Sequence, residues 1–320
     1  MSNLKNVELA TTTNITTTYA GQFAGEYIAA ALLSASTIDD GGITVKSNIA
    51  FKEVIKKLAT DALVTAAGCD FNPTSTITLT ERILQPTELQ VNLQLCKYDF
   101  VNDWESEQMG FGLGQSLPPK FSDFLIAHVA SKVADRTEKN IWSGSTAVSG
   151  QFDGFATLLA ADAALPAGQE LTGAAVTNLN VQEFLGDVVD AIPTAVYGSE
   201  DLIIYAASDV IRAYTRALGG FTALGGGANG YENKGNNQVL GNLFFDGIPV
   251  VAARGAAAGT IIAAEKSNLF FGTGLTSDFQ EVRVLDLAEI DGSQNVRVVM
   301  RFTAGVQYAQ VTDIVLRTTV

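Results

Sequence analysis

The sequence predicts an α+β fold, on three observations. A single long helical pattern opens at Pro118-Pro119 and stops before Gly144. Short apolar runs bounded by glycine, Ile248 to Ala253 and Thr260 to Ala264, are too brief for stable helices and fit buried strands. Two alternating runs, Glu281 to Leu287 and Asn295 to Phe302, flank Asp291-Gly292 and read as an antiparallel hairpin with a loop longer than the tightest type.

Taken in order, residues 1–18 are polar and threonine-rich, a composition that cannot pack on itself and is expected to be either disordered or an arm laid on a neighbour. Tyr19 to Ala35 has Phe23, Tyr27, Ile28 and Leu32 at helical spacing among small residues. From Ser36 to Gly114 the texture is strands and loops. Asp39-Asp40-Gly41-Gly42 makes a turn, and the basic cluster Lys46, Lys52, Lys56 and Lys57 follows, interrupted by Glu53. Such a cluster is either a solvated face or a contact with an acidic neighbour or DNA. Thr76 to Thr80 alternates, as does Glu88 to Cys96, where Leu89, Val91, Leu93 and Leu95 oppose Gln90, Asn92 and Gln94.

In the long helix Leu125, Ile126, Val129, Val133 and Ile141 trace one face, and Asp135 with Lys139 makes an i,i+4 pair. Proline is tolerated in its first turn because that N–H has no intrahelical partner. After an Ala/Gly/Pro-rich loop over 150–175, Asn180 and Glu183 resemble a capping box ahead of a helix with Val181, Phe184, Leu185, Val188, Val189 and Ile192 inward, ended by Pro193. Leu202 to Ala206 reads as a buried strand. Ser208 is placed to cap a second helix, with Val210, Ile211, Tyr214 and Leu218 inward, stopped by Gly219-Gly220. Gly247 and the interval Gly255 to Gly259 are turns, and Val306 to Leu316 is a last strand after Gly305.

Apolar residues are 47% and charged residues only 17%, below the usual globular share, with a mean hydropathy of +0.20. Much of the surface is therefore expected to meet partner subunits, since no run reaches membrane-spanning length. The net charge of -14, from 34 acidic and 20 basic residues, argues against a dedicated nucleic-acid binder, although a container for DNA needs only a weakly attractive wall. Cys69 and Cys96 form no metal spacing and read as buried thiols, with a disulfide as the alternative. The start M-S-N-L-K lacks a signal pattern, so the chain is expected to stay in the cytoplasm until lysis.

Catalytic chemistry is sparsely supplied. Gly225 to Gly230 satisfies G-x-G-x-x-G in form, yet a helix precedes it and a polar stretch follows, the reverse of a dinucleotide site. Gly230 and Gly235 have phosphate-loop spacing, but Asn236-Asn237 stand where Lys and Ser or Thr are required. His128, the single histidine, sits in mid-helix without a second ligand or a nucleophile elbow. The carboxylate pairs Asp39-Asp40 and Glu105 with Glu107 read as solvated charges. No catalytic, cofactor or metal site is expected.

The order G-I-P-V-V, glycine turn, short apolar strand, S-N-L-F-F-G, alternating hairpin with arginines and last strand resembles the major capsid proteins of tailed bacteriophages, the Hong Kong phage-type shell fold. The stretch T-L-T-E-R-I-L-Q-P-T-E-L-Q-V-N-L-Q-L-C-K-Y-D-F-V-N-D-W-E is similar to the region those proteins place between N-terminal arm and long helix. The resemblance implies an arm and first helix over 1–35, an extended-loop region with peripheral-domain strands over 36–114, and a peripheral domain with a spine helix over 115–174. An axial domain over 175–274, a returning hairpin over 275–305 and a last axial strand over 306–320 complete it. It implies a virion shell of hexamers and pentamers enclosing DNA, assembled in the host cytoplasm, with a portal protein and room for scaffolding or decoration proteins. Tyr231, Asn233 and Lys234 would then lie near the capsomer axis. With so short a lead before the arm, no cleaved N-terminal scaffolding extension is expected. Two other readings stand beside this one: an encapsulin-like compartment shell on the same fold, and an acidic α/β enzyme or binding protein using the glycine-rich loop.

Overall fold

The computed structural model describes residues 18–19, 36–39, 42–60, 77–96, 119–218, 243–274, 281–288 and 292–319. In chain order its strands are β1 (Thr18–Tyr19), β2 (Thr44–Lys46), β3 (Glu53–Thr60), β4 (Ile77–Leu84), β5 (Thr87–Cys96), β6 (Glu170–Gly173), β7 (Leu202–Ala207), β8 (Leu243–Phe245), β9 (Ile248–Ala253), β10 (Ile261–Glu265), β11 (Leu269–Thr273), β12 (Glu281–Asp286), β13 (Asn295–Tyr308) and β14 (Val315–Thr319). Its helices are α1 (Ser36–Asp39), α2 (Pro119–Ser143), α3 (Phe155–Ala161), α4 (Val181–Asp190) and α5 (Ser208–Ala217). The layout is α+β, as the sequence predicts.

The strands form two six-stranded sheets and a separate two-stranded ribbon of β3 and β4. In the first sheet β13 is the common partner of β5, β12 and β11. Its alternation buries Val296, Val298, Met300, Phe302, Ala304, Val306 and Tyr308 on one side. The hairpin expected around Asp291-Gly292 forms, with Glu281 opposite Arg301 and Asp286 opposite Val296. Gly305 does not start a new strand. The period-2 pattern runs straight through it, and its missing side chain leaves room for the chain passing at Gln85-Pro86, where a Cβ would lie 3.1 Å from the Pro86 Cα. The expected strand over 306–316 is thus divided: its first residues finish β13, a 3-10 turn spans Val311–Asp313, and β14 joins the other sheet.

The second sheet runs β6-β14-β10-β7-β9-β8, with β6/β14 and β7/β9 parallel and the other pairs antiparallel. Both of its faces are covered, which explains why its central strands read as continuous apolar runs. Ile204, Ala206, Ile261, Ala263 and Val315 pack under Val181, Leu185, Val188, Val210, Ile211 and Tyr214 of α4 and α5. The alternate residues Tyr205, Ile262, Ala264 and Leu316 turn to the other side, into the core made by α2, α3 and β13. Ile126, Val129, Val133 and Ile141 of α2 lie in that second core, on the face the spacing predicts.

Several local expectations are corrected. Tyr19 does not open a helix; with Thr18 it pairs with Val284 and Leu285 at the edge of the first sheet. Ser36–Asp39, expected in a strand-and-loop region, forms a short helix. Asn180 makes no capping bond forward into α4. Its side chain reaches back, Oδ1 accepting from Thr177 N–H at 2.7 Å and Nδ2 donating to Ala175 C=O at 3.1 Å, because a turn at 177–180 already precedes the helix. Ser208 is the first helical residue of α5 and not its cap. Instead Asp209 in that first turn accepts the Gly259 N–H at 2.8 Å, tying helix to turn.

The C-terminal end of α2 is where the helix meets the second sheet, through Trp142 and Tyr205. Glu138 is a buried carboxylate accepting from Thr37 N–H at 3.0 Å, Thr37 Oγ1–H at 2.5 Å and Trp142 Nε1–H at 3.2 Å. The Trp142 indole packs on Phe155 and Tyr205, at ring centroid separations of 5.6 and 5.0 Å, and the Tyr205 hydroxyl donates to the Gly42 carbonyl. Burial, assisted by Asp201, pushes the Tyr205 pKa up, so the hydroxyl stays a donor. Two glycines let other segments touch the helix backbone: a Cβ at Gly154 would lie 2.5 Å from the Asn140 carbonyl, and one at Gly255 would lie 2.0 Å from the Glu138 carbonyl.

Two outcomes are expected here. Val133→Asp would bury a charge against the core made by α2, α3 and β13 at a cost of several kcal/mol, and thermal unfolding would show it; a melt like that of wild type would show that Val133 faces water. Glu138→Ala would strand the N–H and O–H donors of Thr37, leaving Trp142 Nε1–H only its 2.9 Å bond to Thr37 Oγ1, and cost about 3 kcal/mol in denaturant unfolding, whereas Glu183→Ala on the exposed face of α4 would change stability by less than about 0.5 kcal/mol.

Candidate functional site

Among the described residues, those that could do chemistry are not brought together. His128 is exposed on α2, Cys96 is free and half-buried at the end of β5, and no group of three or more His, Cys, Asp or Glu gathers among the described residues. Cys69, Asp40, Glu105, Glu107, the glycine-rich run 225–230 and the three expected axis residues Tyr231, Asn233 and Lys234 lie outside the described residues. An open depression of about 520 Å³ beside the end of α2 is lined by Ser143, Ala156, Thr157, Ala160, Ala161, Ala257, Ala258, Thr260, Thr318 and Thr319, none of them titratable. It offers neither a general base nor an anion to a ligand.

The feature that stands out is the ribbon of β3 and β4. It pairs with neither large sheet, and its described side chains meet the body at its root. There Ile55 and Leu84 turn inward to Ile49, with Phe270 and Ala309 packed against them. The Gln307 amide donates to the Ile83 carbonyl at 3.1 Å, and Lys46 pairs with Glu53. Arg82, on the inward face with Leu84, donates to Asp162 Oδ2 at 2.5 Å, and the Tyr308 hydroxyl donates to the same oxygen at 2.7 Å. The Arg82 guanidinium also lies 4.5 Å from the Tyr308 ring centroid, within cation–π range. Three elements, β4, the end of α3 and the end of β13, are thereby clamped.

For Asp162, burial opposes ionisation, but the hydrogen bonds from Tyr308 O–H and Ala164 N–H and the charge of Arg82 outweigh it and hold the pKa below its ordinary 3.8. Burial and the bond to Asp162 push the Tyr308 pKa up. The clamp was not legible in the sequence. Its only trace is a charged residue, Arg82, at an inward position of an alternating strand.

The outward face of the ribbon is apolar at its root. Val54 and Ile83 stand directly opposite each other and both are exposed, beside Phe51 at 67% exposure and Val45 on β2. The basic cluster of this region is partly engaged: Lys46 pairs with Glu53, Lys56 stands opposite Glu81, and Lys52 lies over the Phe51 ring at 5.7 Å. A second buried cation, Arg317, was also missed by sequence reasoning. It donates to the Gly259 and Ala174 carbonyls at 3.0 Å each and lies 3.8 Å from the Phe184 ring centroid, fastening the end of β14 beneath α4. Burial lowers its pKa while Asp187 and Asp209 act in the opposite sense.

No family description and no curated protein matches the sequence. Solved structures do match the fold. A chain from the capsid of a native GTA particle superposes with a TM-score of 0.56 at 14% identity, over 90% of this chain and 89% of that one. A chain from Gordonia phage Cozz gives a TM-score of 0.56 at 13% identity, over 89% and 86%, and one from Microbacterium phage Oxtober96 gives 0.53 at 14%, over 100% and 96%. The fold is therefore the α+β capsid fold that the order of elements resembled.

The clamp has a signed pH dependence. Because the Asp162 pKa is depressed in the folded state, its contribution is complete above its ordinary value of 3.8 and is lost as pH falls below it. Amide exchange of the β4 strand is expected to be level in opening free energy from pH 8 to about 5. Asp162→Asn should speed that exchange about tenfold, equivalent to ~1.4 kcal/mol, without altering α4. Unchanged protection of β4 in that variant would remove Asp162 from the clamp.

Proposed function

We propose that this chain is the major capsid protein of a tailed phage and that many copies assemble into an icosahedral shell around double-stranded DNA. The observation that carries this reading is the fold match to a capsid chain along nine tenths of both molecules. The surface agrees with it. A projecting ribbon with exposed Phe51, Val54 and Ile83 at its root suits contact with another subunit better than contact with water.

In this reading α2 is the spine of a peripheral domain covering 115–174 together with the strands of 36–114, whose β3–β4 ribbon is the root of the extended loop. Residues 175–274 make the axial domain, 275–305 return as the hairpin to the peripheral domain, and within 306–320 the strand β14 closes the axial sheet. Residues 1–35 act as arm and first helix. Tyr231, Asn233 and Lys234 are assigned to the centre of each hexamer or pentamer, because they fall between α5 and the edge strand β8 of the axial sheet. The shell would sit in the virion after assembly in the host cytoplasm, closed at one vertex by a portal protein, with scaffolding or decoration proteins as further partners.

Electron microscopy of the purified full chain tests the reading. Closed shells of uniform diameter are expected, and a monodisperse soluble monomer at all protein and salt concentrations would overturn it. Shells filled with a cargo protein instead of DNA in the producing cell would shift it to a compartment shell. The charge of -14 per subunit makes copies repel, so assembly should rest on apolar contact and local charge pairs. Raising salt should therefore promote assembly by screening over a Debye length of about 10 Å at 0.1 M. Removing residues 1–17 should weaken assembly while leaving the subunit melt unchanged. Shells that dissociate as salt rises would mean that ion pairs are the main bond.

A further inference from the structure

The exposed charges of this chain are not evenly spread. On α2, Lys132, Arg136 and Lys139 are exposed and, at 3.6 residues per turn, fall within about 60° of arc, opposite the face that buries Val133, Thr137 and Ile141. Gly255 lies so close to the same helix that a Cβ there would be 2.6 Å from the Lys139 Cα, which sets its exposed neighbour Arg254 beside the last turns. None of these four cations is held in an ion pair with a described residue. From Ser131 to Ser143 the helix has one exposed carboxylate, Asp135, since Glu138 is buried and engaged by Thr37 and Trp142. Four cations therefore face one carboxylate in a chain that carries 34 acidic and 20 basic residues overall. The other lysine cluster, near the β3–β4 ribbon, has a smaller excess, because Glu53 pairs with Lys46 and Glu81 stands opposite Lys56.

We propose that this patch, Lys132, Arg136, Lys139 and Arg254, is the surface of the subunit that binds the phosphodiester backbone of double-stranded DNA, and hence that this face of α2 lines the interior of the shell. The proposal rests on the capsid reading and adds to it a site and an orientation. The side chains are point charges and planar guanidinium forks on a rigid helix, suited to phosphate oxygens. The three helical positions span about 10 Å of axis, matching a stretch of backbone and not a base edge. Binding is consequently independent of sequence, weak, and steeply dependent on salt. The acidic field of the rest of the subunit keeps the DNA from adhering elsewhere.

The test uses unassembled full-length subunits and a labelled DNA duplex of about 20 base pairs, followed by anisotropy from about 50 to 200 mM salt. Lys132→Gln/Arg136→Gln/Lys139→Gln is expected to weaken binding roughly tenfold or more and to flatten the slope of log affinity against log salt by about 3. Lys52→Gln/Lys56→Gln, on the ribbon, is expected to leave both unchanged. Equal affinity and slope in the triple variant, an equal loss in the ribbon variant, or wild-type subunits that do not bind the duplex would each overturn the site, while shell formation seen by electron microscopy would still stand on its own. A triple variant that keeps its melt and its DNA affinity but no longer forms shells would also overturn it, making the patch a contact with an acidic surface of a second copy, such as Glu183, Asp187 and Asp190 on α4.

Discussion

The carboxylate of Glu138 is the interaction on which the arrangement of the two sheets depends. A charge buried in the middle of a fold is costly unless every lone pair is used. Here the donors come from Thr37, far off in sequence, and from Trp142, one turn along the same helix. Because Trp142 also packs on Tyr205 of the second sheet, satisfying this one carboxylate fixes three things at once: the end of α2, the path of residues 36–43 and the angle of the sheet that carries Tyr205. The close backbone approaches at Gly154 and Gly255 follow from that position, since no side chain fits between those loops and the helix.

The β3–β4 ribbon is held by a different logic. It has no sheet to extend, so its attitude depends on a small apolar root and on the Arg82–Asp162–Tyr308 clamp. A partly exposed clamp is worth only a modest free energy, while Glu138 is built into the core. The outcome is a rigid body with a limb that is fixed in place but tied by few bonds. Under the proposed capsid reading that division is useful: the body would keep its shape while a limb tied by a few side chains adjusts to differently spaced neighbours.

What was legible in the sequence is what local periodicity controls. The long helix could be read from Pro119 to the residue before Gly144, the alternation of β5 and β13 from their side chains, and the second sheet from runs that are apolar on both faces. The failures have physical causes. Gly305 looked like a break because glycine usually punctuates a strand, but here it admits a neighbouring segment. Asn180 does stand at the N-cap position of α4, but a turn just before the helix draws its side chain back to Thr177 and Ala175. The ion pair of Arg82 with Asp162 and the buried Arg317 could not be read at all, because partners 80 residues apart, or a carbonyl 58 residues away, are chosen by the fold and not by spacing.

The average charge and the local charge of this chain then point to different jobs. In the proposed capsid reading, an acidic surface keeps soluble copies from sticking to one another or to nucleic acid before assembly. Once apolar contact has closed the proposed shell, the field within a Debye length of the wall is what a packaged polyanion would meet, and that distance is about the width of a helix. A patch of four cations on one exposed helical stripe could therefore govern the proposed inner wall even though the subunit as a whole is negative. The same short range explains why the patch must be on a rigid element: α2 is anchored through Glu138 and Trp142, so its outer stripe would be presented at a fixed depth in every copy of the proposed lattice.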